Sequence, residues 1–372
     1  MKIGSLFSGI GGLDLACEDA FNGRTVWQVE RDPYCQQVLS ARWPDAQRFD
    51  DVTQVSADVL EPVDVLCGGF PCQDLSIAGK RAGLDGARSG LYSEMTRLVS
   101  ELRPRFVVFE NVPALMKYRE RVHDDLAALG YGSMWQMCQA SDVGAPHRRR
   151  RVFVLAIRDA SGCIVLPRPL AQSDLFAPAW AHDAADEPWP TPTVCGNDNR
   201  KGASATSGDG LGTAAGWPTP CASDGQGSRS VPQGTSPTGK RPNGTKAMIS
   251  LQAAARWPTP CARDYKSGTG CTEATQDKRN GTPQLPEVVG GCLNPAWVEL
   301  LMGLPVGWTI PDADVGTHQW PMGRGQVQAA HEPPRLVPPR SLLHRAARLR
   351  ALGNAVVPQQ ATAAIKRMLA AL

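Results

Sequence analysis

The sequence predicts an open α/β fold: a largely parallel sheet with helices on its faces, interrupted by a long loop-rich insert. Three observations carry this. Residues 1–157 alternate strand-like and helix-like segments. Two of the strand-like segments, VDVLCGG and RFVVFENV, are continuous apolar runs, as expected of strands covered on both faces. Near Asp159 the composition changes, and Pro, Gly, Ser, Thr and Asn dominate from residue 160 to about 290.

The elements follow in order. KIGSLF reads as a short strand, and GGLDLACEDAF carries apolar residues at helical spacing. TVWQV is a second strand and YCQQVLSARW a second helix. FDDV follows a third strand-like segment. Amphipathic LYSEMTRLVSEL separates the two apolar strands, and RRVFVLAI is a further strand. Such alternation closes most simply as a parallel sheet flanked by helices. Regular patterning returns at LNPAWVELLMGLP. SLLHRAARLRALG is then a predicted helix capped by Ser341 and Gly353, and NAVVPQQATAAIKRMLAAL closes the chain as another.

The insert holds one phrase three times: WPTPT at Trp189 and WPTPC at Trp217 and Trp257, followed by Asp198, Asp224 and Asp264. The spacings are unequal, which excludes a solenoid. Proline at alternate positions forbids helix. Two readings stand: loops that present polar residues to a ligand, or an insert docked onto the core by its Trp residues.

Composition narrows the class. A chain of 372 residues can bury one large domain or two smaller ones. No run approaches the roughly 18 apolar residues of a membrane span. MKIGSLFSGIGG lacks the apolar region and cleavage site of a signal peptide, so a cytoplasmic location is expected. Eleven cysteines without a Cys-x-x-Cys pair argue against a disulfide scaffold and a zinc ribbon, and no metal is expected. The net charge is only +3, but Arg229–Arg279 holds nine Lys or Arg and Arg335–Arg350 holds five Arg and no acid. Either stretch faces phosphates or is a solvated surface.

Four stretches carry candidate chemistry. In LFSGIGGLDLA, Gly9, Gly11 and Gly12 join a strand to a helix, a turn that lets backbone approach a ligand. The spacing is not Gly-x-Gly-x-x-Gly, which sets aside a nicotinamide dehydrogenase. Glu30, in VERD, and Asp51, in FDDV, end the next strands, where an adenosyl ribose would need acceptors; each alone also reads as a helix cap. In GGFPCQDLS, Pro71 stiffens the approach to Cys72 at the carboxyl end of a strand. Cys72 there is a packing residue or a nucleophile, the latter requiring a favoured thiolate. SIAGKRAGLDGARSG behind it has the look of a loop that closes over a substrate. Glu110 and Asn111 end FVVFENV, where partial desolvation would raise a carboxyl pKa; a capping role is the alternative. In GAPHRRRRVFVLA, Arg149 and Arg151 alternate on one face as a strand begins, suited to phosphate or a base oxygen, or to blunting a sheet edge.

Taken in order, FSGIGG, GGFPCQDLS, ENV, HRRRR and ALGNAVVPQ resemble the DNA cytosine-5 methyltransferase family over residues 1 to about 157 and about 293–372. The resemblance implies a Rossmann-like methyltransferase sheet binding S-adenosyl-L-methionine at the strand ends. It divides the chain into 1–158 (catalytic and cofactor-binding), 159–292 (target recognition) and 293–372 (return to the catalytic domain). Phe7, Gly9, Gly11, Glu30, Asp51, Val52, Pro71, Leu91 and Asn354 match its cofactor contacts. Cys72 matches the nucleophile and Glu110 the acid that engages the base. Arg149 and Arg151 match the arginines that hold the target nucleotide and the catalytic loop, and Ser76 and Arg88 are candidate backbone contacts. Phe70 replaces a proline and His147 a glutamine common in the family, both beside the key residues rather than on them.

The implied reaction is methylation of carbon 5 of a cytosine flipped from a specific duplex DNA sequence, by a monomer. A cognate restriction endonuclease in the same system fits this reading, as does a solitary or phage enzyme. Two alternatives are a tRNA cytosine-5 methyltransferase, disfavoured by the long insert, and a catalytically silent DNA-binding regulator, disfavoured by the presence of Cys72, Glu110 and Arg149.

Overall fold

Seven strands form one sheet in the order β3-β2-β1-β4-β5-β7-β6. The structure, a computed structural model, describes residues 1–70, 90–158, 256–265, 284–324, 326–338 and 342–372. The strands are β1 (Lys2–Leu6), β2 (Arg24–Val29), β3 (Gln47–Phe49), β4 (Val65–Gly68), β5 (Phe106–Asn111), β6 (Tyr131–Cys138) and β7 (Arg151–Arg158). The helices named below are α1 (Gly12–Phe21), α2 (Pro33–Arg42), α3 (Gly90–Leu102), α4 (Arg119–Ala128), α5 (Leu285–Val289), α6 (Pro295–Leu301), α7 (Arg345–Asn354) and α8 (Pro358–Ala370).

The predicted α/β class holds. Strands β1 to β5 pair in parallel. β7 runs antiparallel to both β5 and β6, which simple strand–helix alternation does not reveal. The chain runs outward from β1 through β2 to β3, then returns to place β4 on the other side of β1. That reversal opens a crevice beyond the carboxyl ends of β1 and β4, where open α/β sheets bind ligands.

Both sheet faces are covered. Leu6, Leu66, Val107 and Phe109 pack with Met95 and Leu98 of α3 on one face. Ile3, Val65, Val108 and Phe153 pack with Ala16 of α1 and Ile365 of α8 on the other. Each of these branched side chains contributes about 1.5–3 kcal/mol by leaving water. Helix starts follow local chemistry: Asp32 accepts from Tyr34 N at 2.8 Å and Cys35 N at 3.2 Å, with Pro33 opening α2.

A third apolar cluster lies above the crevice. It joins Ile10 to Trp257, Leu285, Trp297, Leu301, Trp308 and Leu352. The third Trp-Pro-Thr-Pro copy is therefore docked onto the core by its Trp, with Trp257 edge-on to Trp297 at 5.2 Å. The first two copies lie outside the described residues.

The predicted caps of α7 are corrected. The helix begins at Arg345 and runs through Gly353 to Asn354, and Ala355 is its C-cap; Ser341 lies outside the described residues. Gly353 is required for a different reason: a Cβ there would stand 2.1 Å from Ala262 N and Cys261 C. Three arginines of the 335–350 run, Arg335, Arg345 and Arg348, also turn inward. Arg335 lies over the Trp257 and Trp297 rings, Arg345 donates to Leu293 O and Tyr265 O, and Arg348 pairs with buried Glu299 at 3.0 Å.

Candidate active site

The crevice is built first from the turn after β1. Phe7 (φ 56°), Gly9 (φ 57°) and Gly11 (φ 82°) are left-handed, a geometry that glycine adopts freely and phenylalanine does not. Gly9 N–H donates to Glu30 Oε2 at 2.7 Å, and Asp32 N–H to Glu30 Oε1 at 2.7 Å. Glu30 thus ties the β1 turn to the end of β2. Burial pushes its carboxyl up, and the Asp32 and Gly9 N–H groups hold it down. A Cβ at Gly9 would meet nothing within 4 Å, so backbone lines open space there.

The neighbouring strand ends complete one wall. Asp51 Oδ1 accepts from Thr53 N at 2.9 Å and Thr53 Oγ1 at 2.8 Å, which lowers its carboxyl pKa. Val52 is buried beside it, and half-buried Leu91 packs on the same cluster from the first turn of α3. Exposed Asn354 ends α7. Two residues on, the Val356 carbonyl comes so close to α1 that a Cβ at Gly12 would stand 2.3 Å from it. Phe7, Gly9, Gly11, Glu30, Asp51, Val52, Leu91 and Asn354 are thus described, and of these Gly9 and Glu30 are joined directly by a hydrogen bond.

The other wall is made by β4 and β5. Asn111 Nδ2 donates to Phe70 O at 3.2 Å, fixing the backbone that leads into Pro71. A Cβ at Gly69 would stand 3.2 Å from Glu110 Oε2, which puts the Glu110 carboxyl beside this segment. Phe70 fills the space between Tyr92 and Phe109, at ring distances of 5.3 and 6.4 Å. Pro71, Cys72, Ser76 and Arg88 lie outside the described residues.

Glu110 pairs with Arg151, Nε to Oε1 at 2.9 Å, with the side chains 12% and 18% exposed. Burial raises the Glu110 pKa, while the charges of Arg151 and Arg149 pull it down. The expected alternation of Arg149 and Arg151 on one strand face does not hold. β7 begins only at Arg151, and Arg149 precedes it at φ 32°. Arg149 is buried, donating to Pro260 O at 3.1 Å, Gly353 O at 3.2 Å and Ala355 O at 2.5 Å. Burial lowers its pKa to about 9. Arg149 thus staples the third Trp-Pro-Thr-Pro copy to the α7–α8 junction, beside the pair formed by Arg151.

His147 is fully buried, and its Nε2 donates to Leu301 O at 2.6 Å. Burial drives its pKa to about 3, so the ring is neutral. Like Arg149, it ties the approach to β7 to the C-terminal elements. Sequence reasoning missed two further parts of the corner: Trp308, whose Nε1 donates to Ile10 O at 2.9 Å, and the clamp of Asn111 on Phe70. Asn111 stood beside a named acid, whereas Trp308 carried no local signal.

Residues 1–176 match the family model described as C-5 cytosine-specific DNA methylase. That match takes in just under half of the 372-residue chain. The chain is 36% identical over 165 residues to the type II methyltransferase M2.BsuMI of Bacillus subtilis (strain 168), a match covering 42% of each. It is 33% identical over 159 residues to the type II methyltransferase M.HhaI of Haemophilus parahaemolyticus, covering 41% of this chain and 48% of that one. The matched stretch thus spans less than half of either relative. A prophage-encoded E. coli protein described as a DNA modification methyltransferase shares the fold at TM-score 0.52 and 20% identity, covering 100% of this chain and 99% of that one. The seven-stranded sheet is accordingly the Rossmann-like methyltransferase sheet. Among the described residues no helix is long and apolar enough to cross a membrane.

Proposed function

We propose that this chain transfers a methyl group from S-adenosyl-L-methionine to carbon 5 of a cytosine within a specific double-stranded DNA sequence. The observation that carries this is the Glu110–Arg151 pair, held at the carboxyl end of β5 against the segment that leads into Cys72. The adjoining corner fits the cofactor: Gly9 leaves backbone open to a ligand, and Glu30 keeps free lone pairs for a ribose hydroxyl. Phe7, Gly9, Gly11, Glu30, Asp51, Val52, Pro71, Leu91 and Asn354 would hold it. S-adenosyl-L-methionine supplies the electrophilic methyl group.

The residues supply what cytosine lacks. Carbon 5 of the free base is too weak a nucleophile to take a methyl. The Cys72 thiolate adds to carbon 6, forming a Sγ–C bond, while Glu110 gives a proton or hydrogen bond to the ring nitrogen. Carbon 5 becomes enamine-like and reactive. Once carbon 5 has taken the methyl group that the bound cofactor would give up, the donor leaving as a neutral thioether, loss of the carbon 5 proton and expulsion of Cys72 restore the ring. Arg151 orients the Glu110 carboxyl and holds its pKa in check. Inside a duplex the base is stacked, so it must be flipped out to reach this corner. Residues 159–292 read the sequence, Ser76 and Arg88 contact the backbone, and the chain acts as a monomer in the cytoplasm.

The test is expression in a host that lacks cytosine methylation, with 5-methylcytosine mapped across its DNA beside a Cys72→Ala control. Methylation at one short repeated sequence, absent from the control, is expected. A folded wild-type chain that leaves DNA unmethylated sinks the reading.

A further inference from the structure

The turn from Phe7 to Gly11 has three left-handed residues, two of them glycine. Such a turn persists only if its surroundings fix it. The Ile10–Gly11 peptide is held from both sides. Gly11 N–H donates to Ser8 O at 2.9 Å, and Ile10 O accepts from Trp308 Nε1 at 2.9 Å. The second bond spans 298 residues of chain.

Trp308 is itself immobilised. Arg42 donates to the carbonyls of Gly307 at 2.9 Å, Trp308 at 3.1 Å, Ile310 at 2.7 Å and Ala313 at 2.9 Å. Buried Glu299 accepts from Gly307 N at 2.7 Å and Thr309 N at 2.9 Å. The indole lies beneath the Arg42 guanidinium at 5.3 Å and edge-on to Trp43 at 5.8 Å. The Trp43 ring occupies the place a Cβ on Gly11 would take, 2.2 Å from it. The turn therefore sits between two tryptophans, one hydrogen-bonded to it and one filling the missing side chain of Gly11.

We propose that Trp308 is a positioning residue for the glycine turn, its indole N–H fixing the Ile10–Gly11 peptide in the orientation that binds the adenosyl cofactor. This rests on the function proposed above. Without that N–H the buried Ile10 carbonyl has lost its partner. Gly11 tolerates either hand, so the peptide can turn over to seek another. The competent turn is then only partly populated, and cofactor affinity falls by that fraction.

The test measures S-adenosyl-L-methionine binding by calorimetry on the full chain, together with KM and kcat. In Trp308→Phe, Kd and KM for the cofactor rise about three- to tenfold, as for one lost hydrogen bond. kcat at saturating cofactor stays within about twofold. Replacing the indole of Trp308 by benzothiophene, which exchanges N–H for sulfur at nearly equal shape, gives the same shift. Trp297→Phe is the control: Trp297 is buried in the same cluster, but its Nε1 donates to Glu332 at 3.1 Å, away from the turn. It lowers stability and leaves Kd unchanged. Wild-type affinity in the Trp308 variants, or equal loss in Trp297→Phe, overturns the assignment while leaving the proposed function standing. A wild-type chain that binds no S-adenosyl-L-methionine overturns both.

Discussion

Asp14 offers a sharp test of the packing beneath the glycine turn. It has no exposed surface, and its carboxylate accepts from Ser5 Oγ at 2.9 Å and Gln28 Nε2 at 2.8 Å. Ser8 Oγ in turn donates to Ser5 Oγ at 2.8 Å, which links the carboxyl to the turn above. Burial pushes the Asp14 carboxyl from 3.8 up to about 7, against the pull of the Gln28 and Ser5 hydrogen bonds and with a small push from Glu18. The fold therefore favours the protonated form. Stability is fullest below the unfolded value of 3.8 and declines as pH rises to about 7. Each tenfold in acidity is about 1.4 kcal/mol, so the ionised carboxyl costs the native state about 4 kcal/mol above neutrality. Asp14→Asn mimics the protonated acid at every pH. Urea unfolding of wild type and Asp14→Asn at pH 4 and pH 8 isolates the group, because other titrations cancel in the difference. The stability of wild type relative to the variant should fall by up to about 4 kcal/mol between the two. An unchanged difference would refute the reasoning, as would a carbon-13 titration that places the Asp14 carboxyl in the ordinary range.

Two further outcomes follow from the same contacts. Gly353→Ala should cost about 3 kcal/mol in urea unfolding despite the better helix propensity of alanine, because the new Cβ meets Ala262 and Cys261 backbone. A stability gain would show that segment 256–265 is not packed on α7. Arg151→Leu removes the charge that most strongly lowers the Glu110 pKa. In the reaction proposed above, the alkaline limb of the pH profile should move up, and the maximal rate should drop roughly tenfold or more. A limb that stays in place would mean that Glu110 does not set it.

The class of fold and the parts list were legible in the chain's residue patterning. Continuous apolar runs placed β4 and β5, because strands covered on both faces are mostly apolar, and the helical patterning between strand-like segments placed β1, β2 and β7. The glycine turn, Glu30, Asp51 and Glu110 were legible because each ends or follows a parallel strand, and such strand ends share one edge; the arginines were legible as the run that opens the last strand, β7. How those parts are held depends on contacts between segments far apart in the chain. Arg149 and Arg151 are two positions apart, yet one staples carbonyls from residues 260, 353 and 355 while the other pairs with Glu110. Gly353 looks like a helix cap in sequence and proves to be a close approach of two backbones. The arginines after residue 335 look like a phosphate-binding run, but Arg335, Arg345 and Arg348 are turned onto aromatic rings, carbonyls and a buried glutamate. Trp308 reaches the glycine turn across 298 residues. Such partners are chosen by the folding of distant segments onto one edge, and local periodicity carries no record of that choice.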